Sequence, residues 1–399
     1  MTKILFAWEM GVGYGHIMPY LDLVRRLTAT GHSVSFATRD LSNTYDVFEG
    51  EKVEYIQAPA LYGRSKHVRF PGHSYIDVLY NTGFADVNHF KGRILAWRSI
   101  FEKVKPDVVI FDGAPSANLV ARRFDCARIT SGTGFFVPPS VTPPPSLRFW
   151  LKKDPPVADH EQELVKNVNA SLAAIGDPEI EAAHELVACD DQFLMNFPEL
   201  DHYPSRMGAD YIGTFPPIDY GTVHEWPSLS GKKVFAYLYP FKTLPSLFQA
   251  MEKLNVSATI YAPKVPQKMK DENASERVRF VDTPASMNKI MEECDVAITN
   301  GNLSSSASVL LAGKPLLLLP TTLERQIVAR RVHELGAGLA APQLKPGGMA
   351  MKFEALLKDS RYTDRAVSFS ERYADRNKTW QVDRMVEKTE ALLGRRNAA

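Results

Sequence analysis

The stretch ILFAWEMGVGYGHIMPYLDLVRRLTATGHSVSFAT, Ile4 to Thr38, decides the fold. It begins with an unbroken apolar run, Ile4–Trp8, which gives way to a loop carrying Gly11, Gly13 and Gly15. Ile17, Leu21, Val24 and Leu27 then recur along one helical face, Gly31 stops that helix, and Val34–Thr38 is a second strand-like run. Strand, loop, helix and strand in this order form a β-α-β unit, in which both strands run parallel and are covered on both faces. The chain is therefore read as α/β from its first residues.

Working outward, Val53–Ile56, Val108–Phe111 and Ala127–Ile129 continue the strand series. After a proline-rich loop from Val137 to Pro145, the pattern turns helical from about Ala158 to Cys189 and returns to a strand at Phe193–Asn196. The segment Gly213–Gly221, followed by Trp226-Pro227, has no period and reads as a linker. A second series follows with Val234–Tyr239, Ala258–Tyr261, Val278–Val281, Val296–Thr299 and Leu316–Leu319. A chain of 399 residues is too long for one ordinary core, so two parallel-sheet, Rossmann-like domains are expected. Their bounds are 1–205 and 231–360, joined by a linker at 206–230 and followed by a charged helical tail at 361–399. Val367, Tyr373, Val382, Met385 and Leu392 are that tail's candidate buried contacts.

Composition narrows the function. With 47 basic and 46 acidic residues the net charge is +1, which gives no electrostatic reason for a nucleic-acid partner. Three widely spaced cysteines, Cys126, Cys189 and Cys294, form no disulfide or metal-ligand pattern and suit a reducing compartment. The N-terminus lacks the features of a signal peptide, and the longest aliphatic run, Leu316–Leu319, is far short of a membrane span. A cytoplasmic location is expected. Peripheral membrane contact stays open at Leu147–Lys153, where aromatics precede lysines, although a buried helix start explains the same residues.

Two loops carry candidate chemistry. His16 stands where the first glycine loop becomes a helix, at the carboxyl end of a central strand, and Asp112 follows the strand Val108–Phe111 at the same edge. A carboxylate beside an imidazole fixes its tautomer and stabilises the imidazolium formed when it takes a proton. Helix-terminal roles for both residues are the competing reading. In the second half, Val296–Thr299 runs into Asn300-Gly-Asn-Leu-Ser-Ser-Ser-Ala-Ser308, a strand-to-helix turn whose backbone N–H groups suit a phosphate. Asn300, Gly301, Asn302, Ser304, Ser305 and Ser306 are its candidate contacts, with simple capping as the alternative. Glu324 and Gln326 follow the next strand and can hold sugar hydroxyls or cap the helix after it.

These segments resemble the family-1 glycosyltransferases, a group that includes UDP-glycosyltransferases and macrolide and rhamnosyl transferases. The resemblance covers Gly15-His16-Ile-x-Pro19, Pro106-Asp107-Val-Val-Ile-Phe-Asp112, and the block from Cys294 through Gly338. It implies a GT-B fold, an acceptor-binding first domain, a donor-binding second domain and C-terminal helices crossing back to the first. It also implies an inverting, metal-independent transfer from a UDP- or TDP-linked sugar to an acceptor hydroxyl, with His16 as general base assisted by Asp112. No cofactor beyond the nucleotide sugar is implied, and the acceptor is a small molecule or lipid-linked. Gly13 and Gly15 of the glycine loop are further candidate donor contacts, and the family's donor positions fall on Tyr239, where it has Gly-Ser or Gly-Thr, on Thr283, where it has an aromatic that stacks on the nucleobase, and on Ser308. Aromatic acceptor contacts are expected at Tyr75, Phe84, Phe135 and Phe136, with Tyr62 in the same region. The block departs from the family where His-Gly-Gly reads Asn300-Gly301-Asn302, a ribose-holding glutamate falls on Ser308, and the sugar-holding Asp-Gln pair falls on Glu324-Arg325. Losing several contacts of ~1–3 kcal/mol each weakens a donor site by orders of magnitude unless others compensate, so a catalytically degenerate binding partner is the alternative function.

Overall fold

The computed structural model describes residues 2–60, 65, 67–153, 155–216, 221–341 and 346–398. Two compact units divide it. The first contains the chain up to Gly213 together with Thr379 onward, and the second runs from Thr214 to Lys378.

In the first unit, β1 (Lys3–Trp8), β2 (Ser33–Thr38), β3 (Val53–Gln57), β4 (Val108–Asp112), β5 (Ala127–Gly132) and β6 (Asp191–Leu194) form a parallel sheet in the order β3-β2-β1-β4-β5-β6. The chain builds outward from β1 on one side and then restarts beside it at β4. The reversal between these two strands is where open α/β sheets leave a ligand crevice. Register sharpens this position, because Trp8 of β1 pairs with Asp112 of β4, which pairs with Ser131 of β5. Ile4 to Trp8 are all buried, as expected of a strand covered on both faces.

The second unit repeats the plan. Here β7 (Lys233–Tyr237), β8 (Ser257–Tyr261), β9 (Val278–Val281), β10 (Val296–Thr299), β11 (Leu316–Leu318) and β12 (Gly338–Ala340) lie in the order β12-β11-β10-β7-β8-β9, all parallel. The corresponding reversal lies between β7 and β10. Buried Val234, Leu247, Phe248, Ile260, Ile298 and Phe353 belong to one core against this sheet.

Several sequence expectations move. The first helix proper is Leu21–Ala29, and His16 lies earlier, in the short turn Tyr14–His16 that precedes a second turn at Met18–Tyr20. The expected helical stretch 158–189 divides into Val157–Ala173 and a single turn at Ala183–Leu186. Gly176, at φ 70°, and Pro178 separate them, since neither continues a helix. Strand β7 ends at Tyr237, which leaves Tyr239 in the loop beyond. Strand β6 stands two residues earlier than Phe193–Asn196.

The helix Lys378–Ala398 packs within the first unit, where Met385, Leu392 and Leu393 join the core that holds Ile4, Phe6 and Val24. Lys388 Nζ reaches Asp191 at 2.7 Å and Asp210 at 2.9 Å, and Gln381 donates to the Gly213 carbonyl at 2.7 Å. The preceding helix, Arg361–Arg372, belongs to the second unit, and its Ser370 hydroxyl donates to the Leu311 carbonyl. Val382 and Tyr373 are buried, whereas Val367 is 39% exposed.

Candidate active site

The carboxyl edge of the first sheet brings His16 and Asp112 together. His16 Nδ1 lies 2.7 Å from Asp112 Oδ1, with both side chains largely buried. The imidazole is sandwiched. Trp8 stacks on it at 5.1 Å between centroids, and Phe136 meets it edge-on at 5.2 Å. Trp8 is fixed in turn by its indole N–H, which donates to the Met10 carbonyl at 2.5 Å, and Met10 N–H donates to the Gly113 carbonyl. The Met10–Gly113 bond thereby ties the loop to the turn that follows Asp112.

The far edge of the imidazole faces Gly11, whose φ is 86°. A Cβ at that position would stand 2.1 Å from His16 Nε2, inside the ~2.6–3.2 Å shell a reacting hydroxyl must occupy beside a base. Glycine here is therefore a requirement of the ring as well as of the backbone. Gly13 has a similar φ of 85°, but a Cβ there meets nothing within 4 Å, and the same holds for Gly15. The Tyr14 hydroxyl donates to Asp46 between these two glycines and anchors the loop.

Asp112 is held from behind. The buried Tyr20 hydroxyl donates to its Oδ2 at 2.7 Å and lies 2.6 Å from Ser131 Oγ. Burial first, and the Asp112 charge second, push the Tyr20 phenol well above its ordinary range, so it stays protonated. The helix Pro115–Ala121 is capped by a different acid: buried Glu9 accepts from Ser116 N–H and from the Trp97 indole, each at 2.7 Å. Burial raises the Glu9 carboxyl pKa, opposed by the nearby Arg93 guanidinium. Glu9 and Gly11 lie inside the segment quoted first, yet their partners come from sequence positions far away.

Of the expected acceptor aromatics, Phe136 touches His16 and stands next to Phe135 at 5.3 Å. Tyr75 lines a small cavity with Phe136 and Phe111, and its buried hydroxyl has no hydrogen-bond partner among the described residues. Phe84 is fully buried against Phe90 and acts as core. Tyr62 lies outside the described residues. Gly134 brings the backbone close to a buried pair that sequence reading missed, Asp201 and His202. Burial lowers the His202 pKa to about 4, which keeps this imidazole neutral.

In the second unit the helix Leu303–Leu311 begins at Asn302, with no side chain closing its first turn. Asn300 is buried, donates to the Tyr237 carbonyl at 3.0 Å, and keeps its own amide oxygen without a partner among the described residues. Gly301, at φ 83°, passes so close to Arg325 that a Cβ would stand 2.9 Å from its carbonyl. The serines differ: Ser304 is exposed, Ser305 half-buried, Ser306 fully buried, and Ser308 returns its hydroxyl to the Ser304 carbonyl. Tyr239 has two cations near its ring, Lys264 and Arg325, each 5.4 Å from its centre. Thr283 is exposed after β9 and bonds Thr222 and His224. Thr322 caps the helix Leu323–Leu335, and Glu324 and Gln326 are both half-buried in its first turn. Among the described residues no three His, Cys, Asp or Glu side chains stand together as a metal site. None of the described helices is long and apolar enough to cross a membrane.

No family model matches the chain. A curated relative, the NDP-glycosyltransferase YjiC of Bacillus subtilis (strain 168), is 30% identical over 95 residues, which is 24% of this chain and 22% of that protein's length. Solved structures match far more broadly. The calicheamicin glycosyltransferase CalG4 superposes with a TM-score of 0.71 at 20% identity, covering 99% of this chain and 98% of that one. The glycotransferase of kitacinnamycin gives 0.70 at 19% identity over 97% and 98%. The glycosyltransferase VinC, solved in complex with dTDP, gives 0.67 at 16% identity over 98% and 100%. Two six-stranded parallel sheets with their helices thus form the GT-B fold expected from the sequence.

Proposed function

We propose that the chain is an inverting glycosyltransferase that moves a sugar from a UDP- or TDP-linked donor to an acceptor hydroxyl. The observation that carries this reading is the 2.7 Å contact between His16 Nδ1 and Asp112 Oδ1 at the sheet's ligand edge. With Nδ1 held by a carboxylate, the ring's proton sits there and Nε2 presents a lone pair. As the acceptor oxygen attacks the anomeric carbon, its proton passes to His16 Nε2. The bond from that carbon to the diphosphate breaks, and the nucleoside diphosphate leaves with the electron pair. Asp112 stabilises the imidazolium that results.

The first unit would hold the acceptor, a small molecule or a lipid-linked one, beside Tyr75, Phe135 and Phe136. The turn Asn300–Ser306 and its helix N-terminus would hold the diphosphate, with Tyr239, Thr283, Ser308, Glu324 and Gln326 around it. The dTDP bound by the similar VinC supports this choice of donor class, and the reading needs no metal. It fits a protein acting in the cytoplasm. A non-catalytic, binding role draws on a different observation: Ser308, where the family has a ribose-holding acid, spends its hydroxyl on its own helix.

Thermal-shift titration with UDP, TDP and GDP, then mass spectrometry of nucleotide retained on purification, tests the donor site. Binding of UDP or TDP, with nucleotide release that depends on an added acceptor and on His16, is expected. Nucleotide binding without any transfer would select the binding role, and no binding at all would refute both.

A further inference from the structure

We propose that Tyr20, backed by Ser131, is a positioning residue that sets the proton affinity of His16 through the second oxygen of Asp112. This rests on the reading of His16 as the base.

A phenol has one hydrogen. Tyr20 Oη is 2.7 Å from Asp112 Oδ2, an oxygen that only accepts when the carboxylate is ionised, so the phenolic hydrogen goes there. Ser131 Oγ, 2.6 Å from the same phenol, must then donate to it. The hydrogens run in one direction, from Ser131 to Tyr20 to Asp112. The carboxylate thus receives one donor on each oxygen, Tyr20 on Oδ2 and the imidazole Nδ1–H on Oδ1. Sheet register maintains the arrangement: Ser131 pairs with Asp112 across β5 and β4, and Tyr20 is buried at 1% exposure where the loop meets its helix.

The consequence for the base is electrostatic. A donor on Oδ2 draws charge from the carboxylate and weakens its hold on the imidazolium, so the ring returns its proton more readily. Removing that donor leaves Oδ1 more basic toward His16. Tyr20→Phe keeps the ring's packing and deletes only the donor. Because Asp112 also fixes which nitrogen carries the proton, the same chain of bonds selects the tautomer.

The test follows the ring directly. The imidazole nitrogens of uniformly labelled full-length protein are titrated by long-range proton–nitrogen correlation, with the His16 signals identified by their loss in His16→Ala. Wild type should show the proton on Nδ1. Tyr20→Phe should raise the titration midpoint by about half to one pH unit, a ~threefold to tenfold gain in proton affinity. Ser131→Ala should move it the same way by less, and Ser131→Thr should restore it. The acid limb of kcat/KM should follow the ring, while the thermal shift given by UDP or TDP stays unchanged. A midpoint within about 0.2 of wild type in Tyr20→Phe, with only a lower Tm, overturns the proposal and leaves Tyr20 as packing. If Tyr20→Phe does not fold, Ser131→Ala decides alone, and an unmoved midpoint there refutes it. Absence of any transfer would refute the glycosyltransferase reading while leaving the ring titration interpretable.

Discussion

Replacing Gly11 by alanine should silence the base without touching it, and Gly13→Ala provides the matched comparison. The two glycines have φ of 86° and 85°, so a methyl group at either position strains the backbone by about 1–3 kcal/mol. For a unit of this size that corresponds to a Tm loss of about 2–12 °C in both variants. Only at Gly11 does the new carbon collide, at 2.1 Å from His16 Nε2 and 2.5 Å from Cε1. Restoring a normal contact of ~3.5 Å requires the ring to retreat by about 1 Å or more. Retreat toward Asp112 is closed, because that carboxylate already stands 2.7 Å from Nδ1. The ring must therefore tilt out from between Trp8 and Phe136, and a displacement of about 1 Å at a reacting group costs on the order of 100-fold in rate. With general-base catalysis lost outright the penalty reaches about 10²–10⁴-fold, or about 3–5 kcal/mol. The assay is acceptor-dependent release of nucleoside diphosphate, read beside the Tm of each variant. Gly11→Ala should fall close to His16→Ala, while Gly13→Ala stays within about tenfold of wild type. Equal losses in the two glycine variants, or a folded Gly11→Ala with near-normal turnover, would refute the assignment of Nε2 as the face that meets the acceptor.

Three further outcomes follow from the structure. His16→Ala should lower transfer by about 10²–10⁴-fold and leave the UDP or TDP thermal shift intact, since His16 and the turn Asn300–Ser306 proposed for the diphosphate belong to different units. Gly301→Ala should do the reverse, weakening nucleotide binding measured by calorimetry, because its Cβ would press to 2.9 Å on the Arg325 carbonyl beneath the turn. Acid should destabilise the first unit through His202. Its folded pKa of about 4 lies below the ordinary 6.5, so the unfolded chain takes up the proton first, and stability present above pH 6.5 is lost as pH falls toward 4. The loss amounts to about 3 kcal/mol, and His202→Phe should flatten that part of a denaturation series recorded at successive pH values.

Much of this was legible in order along the chain. The apolar runs Ile4–Trp8 and Val296–Ile298 declare buried parallel strands because no polar residue interrupts them. A loop leaving such a strand must emerge at the carboxyl edge, so His16 and Asp112 could be brought together by topology alone. What escaped reading depends on distant partners. Glu9 looks like a stray acid at a strand end until Trp97 and Ser116 are seen to donate to it. Tyr20 resembles a core aromatic, and only the β4–β5 register shows that Asp112 and Ser131 share its hydroxyl. His202 gave no periodic signal because it lies in the loop after β6, where burial comes from Gly134 and Phe135 of another loop. The helix expected through Cys189 overran Gly176 and Pro178, whose backbone preferences outweigh the apolar pattern around them.

The return of the helix Lys378–Ala398 to the first unit has a consequence for synthesis on the ribosome. Residues 214–378 form an uninterrupted stretch, so the second unit is complete while the first still lacks one of its packing elements. Until Met385, Leu392 and Leu393 emerge, the core that holds Ile4 and Phe6 of the sheet and Val24 of the first helix stays partly uncovered, and Asp191 and Asp210 stay without Lys388. The half of the molecule translated first is thus the half finished last, and a nascent chain halted before residue 378 would carry a complete second unit and a first unit still short of one helix.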